Sequence, residues 1–228
     1  MARRTVSVND RTAPASGRTV GGPAIPDSED LQARYDWTQA SVTSTVEDQT
    51  GNGHDLTGSY TGPTATINGL QAGEFDGADD FVDVDWPNQS QPNHIFVVFQ
   101  YLSDPNSTSG VIGGANDGQH KIGNNNNGDL DLYAGNANGV VDGDADTNPH
   151  IASGLFDGGS SVLRIDGTQV ATGDVGGQDM GGLTAGAQAG GNNYANVAIG
   201  EILPYQTDKS SNQSDIETYL ANKWGITL

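Results

Sequence analysis

Asp142, Asp144 and Asp146, each two residues from the next, come nearest in this chain to a metal-ligand set. Clustered carboxylate oxygens suit hard cations such as Ca2+ or Na+. An EF-hand loop would need Gly at its sixth position and Glu at its twelfth, where this segment has Thr147 and Ser153. That loop type is therefore excluded, leaving either another kind of cation site or a hydrated acidic loop. A second carboxylate-rich stretch, Glu74 to Asp85 (EFDGADDFVDVD), offers oxygens for a cation or a sugar, or is simply the wet face of a surface hairpin. A third set is amide and aromatic. The tract Asn124 to Asn127 is closed by Gly128, and Trp86, Tyr133 and Tyr194 lie near Asn-rich loops. A sugar site needs an aromatic face beside amide groups. Asn124, Asn125, Asn126, Tyr133 and Tyr194 are the candidate ligand residues, each set against a core or loop role.

Other chemistries find no residues. The histidines His54, His94, His120 and His150 are dispersed, with no HxH or HExxH spacing, which disfavours zinc. There is no Cys and no G-x-S-x-G nucleophile turn, so no catalytic residue is assigned.

The elements that must carry these residues are short and alternating. Phe81, Val82 and Val84 interleave with Asp80, Asp83 and Asp85, the period of a half-wet strand, and Asp76-Gly77 predicts a tight hairpin turn before it. On that reading Phe75, Phe81 or Val82, and Val84 are core residues, while Asp79, Asp80, Asp83 and Asp85 are surface. His94 to Tyr101 (HIFVVFQY) is almost wholly apolar and predicts a strand buried on both faces. Strands at 151–156, 161–165 and 168–171, separated by Asp157-Gly-Gly159 and Asp166-Gly167, predict a meander. Only the end of the chain has helical spacing: Ile216, Tyr219, Leu220, Lys223 and Trp224 share a face. Gly225 is the stop, Ser211 or Ser214 the N-cap, and Glu217 completes a capping box with Ser214. The class is all-β.

Composition limits partners. The formal net charge is −20, from 29 acidic and 9 basic residues, and hydrophobic content is 34% with 33 glycines. Repulsion on such a surface is largely screened at molar salt, where the Debye length is about 3 Å, so the composition suits a high-salt habitat. Nucleic acid is excluded as a partner of the main domain, since phosphate binding needs basic surface. No apolar run approaches the roughly 18 residues of a membrane span. Residues 1–30 differ from the rest. They hold Arg3, Arg4, Arg11 and Arg18 among prolines and glycines, and read as an extended arm, either docking onto an acidic neighbour or unstructured. The arm begins without the apolar region of a secretion signal.

Several stretches together resemble one family. DQTGNGHDLT (48–57), FDGADDFVDV (75–84), SGLFDGGSSVLRIDGTQV (153–170), IGEILPYQ (199–206) and SDIETYLANKWGI (214–226) are similar, in this order, to the concanavalin A-like lectin/glucanase superfamily, in its laminin-G-like branch of bacterial and viral type. The resemblance covers residues 31–228. It implies a jelly-roll sandwich of two antiparallel sheets with a short C-terminal helix. It also implies carbohydrate or cell-surface binding as the commonest role, without fixing a ligand. Glycanases of the superfamily carry catalytic carboxylates as Glu-x-Asp-x-Glu on one strand. Here Glu74-Phe75-Asp76 is followed by Gly77 and no second Glu, so the expectation is not an enzyme. A surface-binding fold without an export signal is expected on a virion. The expected protein is a structural, lectin-like component of a halophilic virus, requiring no cofactor. It would join other virion proteins or further copies of itself through the arm and face a host surface glycan, or alternatively decorate the shell without binding one.

Overall fold

The computed structural model describes residues 24–41, 44–105, 107–115, 120–136, 140–141 and 145–228. In chain order the strands are β1 (Tyr35–Asp36), β2 (Thr45–Val46), β3 (Leu56–Ser59), β4 (Gly62–Ile67), β5 (Leu70–Asp76), β6 (Phe81–Val84), β7 (Asn93–Tyr101) and β8 (Ser109–Gly113). There follow β9 (Lys121–Asn124), β10 (Leu130–Tyr133), β11 (Val140–Val141), β12 (His150–Phe156), β13 (Ser161–Ile165), β14 (Thr168–Gly173), β15 (Leu183–Ala185) and β16 (Asn196–Tyr205), then helix α1 (Gln213–Trp224). The first sheet runs β14-β13-β12-β7-β16-β5-β4, with β1 also on β16, and the second runs β11-β10-β9-β8-β15-β6-β3-β2. Every pairing is antiparallel.

The two sheets share one core. Ile95, Val97, Phe99 and Tyr101 from β7 meet Val82, Ile122, Leu130 and Leu132 from the second sheet. Their alternates Phe96 and Val98 lie on the other face, in a second cluster with Ile216, Leu220 and Trp224 of α1. This explains the apolar run at β7: both its faces are covered, one by a sheet and one by a helix. The sheets approach closely at Gly154 on β12, where a Cβ would lie 2.6 Å from Leu132 Cδ1.

The β12–β13–β14 meander is as expected. Its second turn has both Asp166 (φ 46°) and Gly167 (φ 75°) left-handed, as a two-residue hairpin requires. The hairpin expected around Asp76-Gly77 is not one. β5 pairs with β16 and β4 in the first sheet, while β6 pairs with β15 and β3 in the second. The turn crosses the sandwich, so that Phe75 and Val82 enter the same core from opposite sides. Phe81 takes the other face and its ring lies 6.3 Å from that of Tyr194. Asp80, expected on the surface, is buried. Its Oδ2 accepts from Thr61 N (2.8 Å), Thr61 Oγ1 (2.6 Å) and Asp76 N (3.2 Å), which ties down the crossing.

Helix α1 ends as expected, on Gly225 with φ 65°. Its start differs. Asn212 is the N-cap, without a side-chain cap bond; Ser214 falls inside the helix, which excludes the capping box, and Glu217 is buried on Arg164 (Nε to Oε1 3.0 Å). Beneath the helix, Glu201 of β16 is fully buried. It accepts from Arg34 Nε (2.9 Å), Tyr219 OH (3.1 Å), Lys223 Nζ (2.6 Å) and Trp224 Nε1 (3.1 Å).

Candidate functional site

The site begins with strand register. In the β9–β10 pair Lys121 opposes Tyr133 and Gly123 opposes Asp131. Their alternates Ile122, Leu130 and Leu132 enter the core, so Lys121, Asp131 and Tyr133 stand on the outer face of the second sheet. On neighbouring β8, Gly110 pairs with Gly123 and offers no side chain there. The segment 187–193 closes over this bare strip. A Cβ on Gly110 would lie 2.7 Å from the Ala187 carbonyl carbon, and one on Gly113 2.9 Å from Ala189 N. The segment is held by Gln188 N to Asn192 O (2.7 Å), Asn193 Nδ2 to Gln188 Oε1 (2.8 Å) and Gly110 N to Asn193 O (3.0 Å).

Between this segment and β9–β10 lies a cavity of about 250 Å³, lined by Tyr133, Lys121, Gly113, Gln188, Asn192 and Asn193 among others. The Lys121 ammonium is 2.7 Å from Asp131 Oδ1, and Nζ also donates to Asn124 O at 3.3 Å. Burial raises the Asp131 carboxyl above its ordinary range, and the Lys121 charge pulls it back. Among the described residues that line the cavity none carries a carboxylate. Its polar groups are a phenol, amides, the His120 imidazole and one paired ammonium, which can hold hydroxyl groups from several sides.

Of the ligand and metal candidates singled out from sequence, Tyr133 lines the cavity and the other described ones do not; His120, set aside with the dispersed histidines, lines it too. Tyr194 is half-buried against Phe81, following the cavity wall in sequence. Asn124 is fully buried. Its Oδ1 accepts from Tyr101 OH (3.2 Å) and Ser109 Oγ, and its Nδ2 donates to Ser107 O, so its side chain is engaged within the sandwich. Asn125 builds the β9–β10 turn, accepting on Oδ1 from Asn127 N (2.8 Å) and Asp129 N (3.2 Å). Asn126 is exposed at the tip and accepts from Thr108 Oγ1. Asp142 and Asp144 lie outside the described residues, as do Arg3, Arg4, Arg11 and Arg18. Asp146 is engaged by Asn148 N (2.6 Å) and His150 Nε2 (2.9 Å). A different acidic trio, Asp76, Asp79 and Asp80, gathers at the crossing turn. There Asp76 Oδ1 accepts from Ala78 N (2.8 Å) and Asp79 N (3.3 Å). Glu74 and Asp76 belong to β5, in the sheet opposite the cavity.

Sequence reading missed Lys121, Gln188, Asn192 and Asn193. A signal existed for Lys121: a lysine is rare in this acidic chain, and this one directly precedes an apolar strand residue. The segment 187–193 has no period and reads only as glycine-rich, so its role as a wall had no local signature.

No family model matches this chain, and no curated protein is similar enough to count as a relative. Solved structures do share the fold. A Trypanosoma rangeli sialidase in complex with sialic acid matches 89% of this chain with a TM-score of 0.65 at 15% identity, over 34% of the sialidase. The chain thus spans about a third of the length of the sialidases it matches. Domain 4 of AbnA, a GH43 extracellular arabinanase from Geobacillus stearothermophilus, in complex with arabinotriose, matches 83% of this chain and 98% of that domain, with a TM-score of 0.57 at 17% identity. The binding domain of Paraclostridial mosquitocidal protein 1 matches 85% of this chain and 52% of its own length, with a TM-score of 0.62 at 11% identity. The fold is a jelly-roll-type β-sandwich. At these identities the likeness is one of architecture.

Proposed function

We propose that this chain is a carbohydrate-binding module that holds a glycan without cleaving it, in the cavity between Tyr133 and segment 188–193. The observation that carries this is the convergence of one aromatic ring and the amides of Gln188, Asn192 and Asn193 on a single cavity of about 250 Å³. A sugar ring presents a C–H face to an aromatic ring and hydroxyls to amides. Glycoside hydrolysis ordinarily uses a pair of carboxyl groups about 5–10 Å apart across the bond, and the described lining supplies none. The arabinanase domain supports the reading, because nearly its whole length matches and it was solved with arabinotriose.

The wider setting we infer from charge. A net charge of −20 suits a particle-surface protein in molar salt. An arm bearing Arg3, Arg4, Arg11 and Arg18 suits docking onto acidic virion proteins or onto further copies of the chain.

A glycan array probed at molar salt tests the binding. Wild type is expected to retain a defined set of glycans, and Tyr133→Ala to weaken the best of them about tenfold, as loss of an aromatic contact worth about 1.4 kcal/mol would. If no glycan is retained, or Tyr133→Ala binds as wild type does, the reading fails and a purely structural module is favoured. For the setting, deletion of residues 1–23 leaves intact the Lys209 ion pairs with Asp27 (3.3 Å) and Asp30 (3.6 Å). The truncated domain is expected to fold but not to join its particle.

A further inference from the structure

Given that carbohydrate reading, the cavity also shows which class of sugar it suits. Lys121 is the one fully charged side chain among the described residues lining it. Its ammonium is not available as a net charge, because Asp131 Oδ1 sits 2.7 Å away and the two side chains are only 7% and 11% exposed. Away from water such a pair interacts strongly, and an approaching ligand meets a dipole rather than a cation. The other polar groups at the wall are neutral: the amides of Gln188, Asn192 and Asn193, the Tyr133 phenol, and the His120 imidazole, which burial keeps unprotonated. No other described basic residue can compensate. Arg34, Arg164, Lys209 and Lys223 are each committed to ion pairs away from the cavity. A carboxylated or sulfated sugar entering here would lose hydration without gaining an unpaired cation, and would face the Asp131 carboxylate at short range. A hydroxyl suffers neither penalty. An ammonium has three N–H donors; the Asn124 carbonyl takes one (3.3 Å), and beside the Asp131 ion pair a donor remains for a sugar oxygen.

We infer that the cavity selects uncharged sugars, and that Asp131 sets this selectivity by neutralising Lys121. Asp131 is therefore a specificity-determining residue that acts through Lys121 and does not itself line the cavity. The geometry predicts what its removal does. Asp131→Asn keeps the shape and a hydrogen-bond acceptor for Nζ, yet leaves a full positive charge at the cavity wall.

The test is a glycan array carrying neutral, sialylated, uronic and sulfated oligosaccharides, probed with the full chain at molar salt. At that salt the long-range repulsion from the acidic surface is screened over about 3 Å, so selectivity reports the local pair. Wild type is expected to retain neutral glycans only. Asp131→Asn, with its fold checked by circular dichroism, is expected to gain acidic glycans, shifting the acidic-to-neutral ratio about tenfold or more. The neutral double variant Lys121→Gln/Asp131→Asn should return to neutral glycans, a result that a merely structural role would not produce. Preferential retention of acidic glycans by wild type overturns the inference and leaves the binding reading standing. A folded Asp131→Asn protein with unchanged selectivity overturns the role of Asp131. Retention of no glycan of any class overturns both. The wild-type arm decides neutral against acidic even if the single variant does not fold.

Discussion

His120 is the least compensated polar side chain in the described molecule. It is 1% exposed, its ring lies 4.4 Å from that of Phe156, and neither ring nitrogen has a hydrogen-bond partner among the described residues. Burial lowers its imidazole to about 3. Burial also lowers His94 to about 3. There the backbone N–H of Lys209 donates to Nδ1 (3.3 Å), so Nε2 carries the proton and donates to Ser153 Oγ (3.1 Å). Both folded values lie below the roughly 6.5 of an unfolded histidine. Their stability contribution is therefore full above about pH 6.5 and is lost as pH falls toward 3, at about 1.4 kcal/mol per pH unit for each. His150 works the other way. Hydrogen bonds to Asp166 (2.7 Å) and Asp146 (2.9 Å) raise it, so its contribution is full below the unfolded value and lost as pH rises through its folded value. Replacing His120 with Leu should flatten the acid limb. The loss of unfolding free energy between pH 7 and pH 5, from urea titrations, should be smaller by about 2 kcal/mol in His120→Leu than in wild type. An identical pH dependence in the two proteins would mean that His120 is not the orphan its surroundings suggest. His94, the second residue of β7, lies on that strand's helix-covered face, stacked on Phe96. Neighbouring letters give a residue's strand, but which face is covered depends on an element more than a hundred residues away.

At the scale of elements, the joint between α1 and β16 turns on one carboxylate. Tyr219, Lys223 and Trp224 all donate to Glu201, and Lys223 also reaches Asp36 (2.7 Å). Breaking a buried pair by removing one partner typically costs about 3–5 kcal/mol, because the other charge is left uncompensated. Glu201→Gln should therefore destabilise the protein by roughly that amount, and the change in Trp224 fluorescence on denaturation should move to lower urea with the global transition. A loss below about 1 kcal/mol would show that apolar contacts alone hold the helix. The helix itself was legible, because a 3.6-residue period and Gly225 are local signals. Its partner was less so: a lone Glu inside the apolar stretch IGEILPY was the clue, and it gained meaning only once α1 lay over it. The misplaced hairpin teaches the same lesson. The true hairpin is one turn earlier, where Asn68 (φ 47°) and Gly69 (φ 84°) join β4 to β5. Alternation marks β5 and β6 equally well as strands, but it says nothing about which sheet each joins. The candidate site divides in the same way. Tyr133 was visible as an aromatic in an alternating strand, whereas the wall at 187–193 exists because glycines on β8 let a distant backbone close over them.

Among the described residues the five lysines and arginines are all used internally. Lys121, Lys209, Lys223, Arg34 and Arg164 all form ion pairs with side-chain exposures between 7% and 22%. Most of the other described carboxylates are exposed or half-exposed, with little described positive charge between them. Two populations of charge result, and salt should separate them. Exposed like charges repel over about 10 Å at 0.1 M salt and about 3 Å at 1 M, while buried pairs are screened much less. Added NaCl should therefore raise the thermal midpoint, by on the order of 5 °C or more between 0.1 M and 2 M, if relief of repulsion is worth about 2 kcal/mol in a domain of this size. Sucrose at matched osmolality serves as the control, since it favours burial without screening charge. A midpoint that is flat in NaCl, or that rises equally in sucrose, would remove repulsion as the cause and with it the physical basis for a high-salt habitat. The buried network supplies the second half of the test. The destabilisation caused by Glu201→Gln should be nearly the same at both salt concentrations, because Glu201 is fully buried and its partners are close. A sandwich whose surface is stabilised by salt while its ion pairs are indifferent to it holds its five described lysines and arginines where screening cannot weaken them.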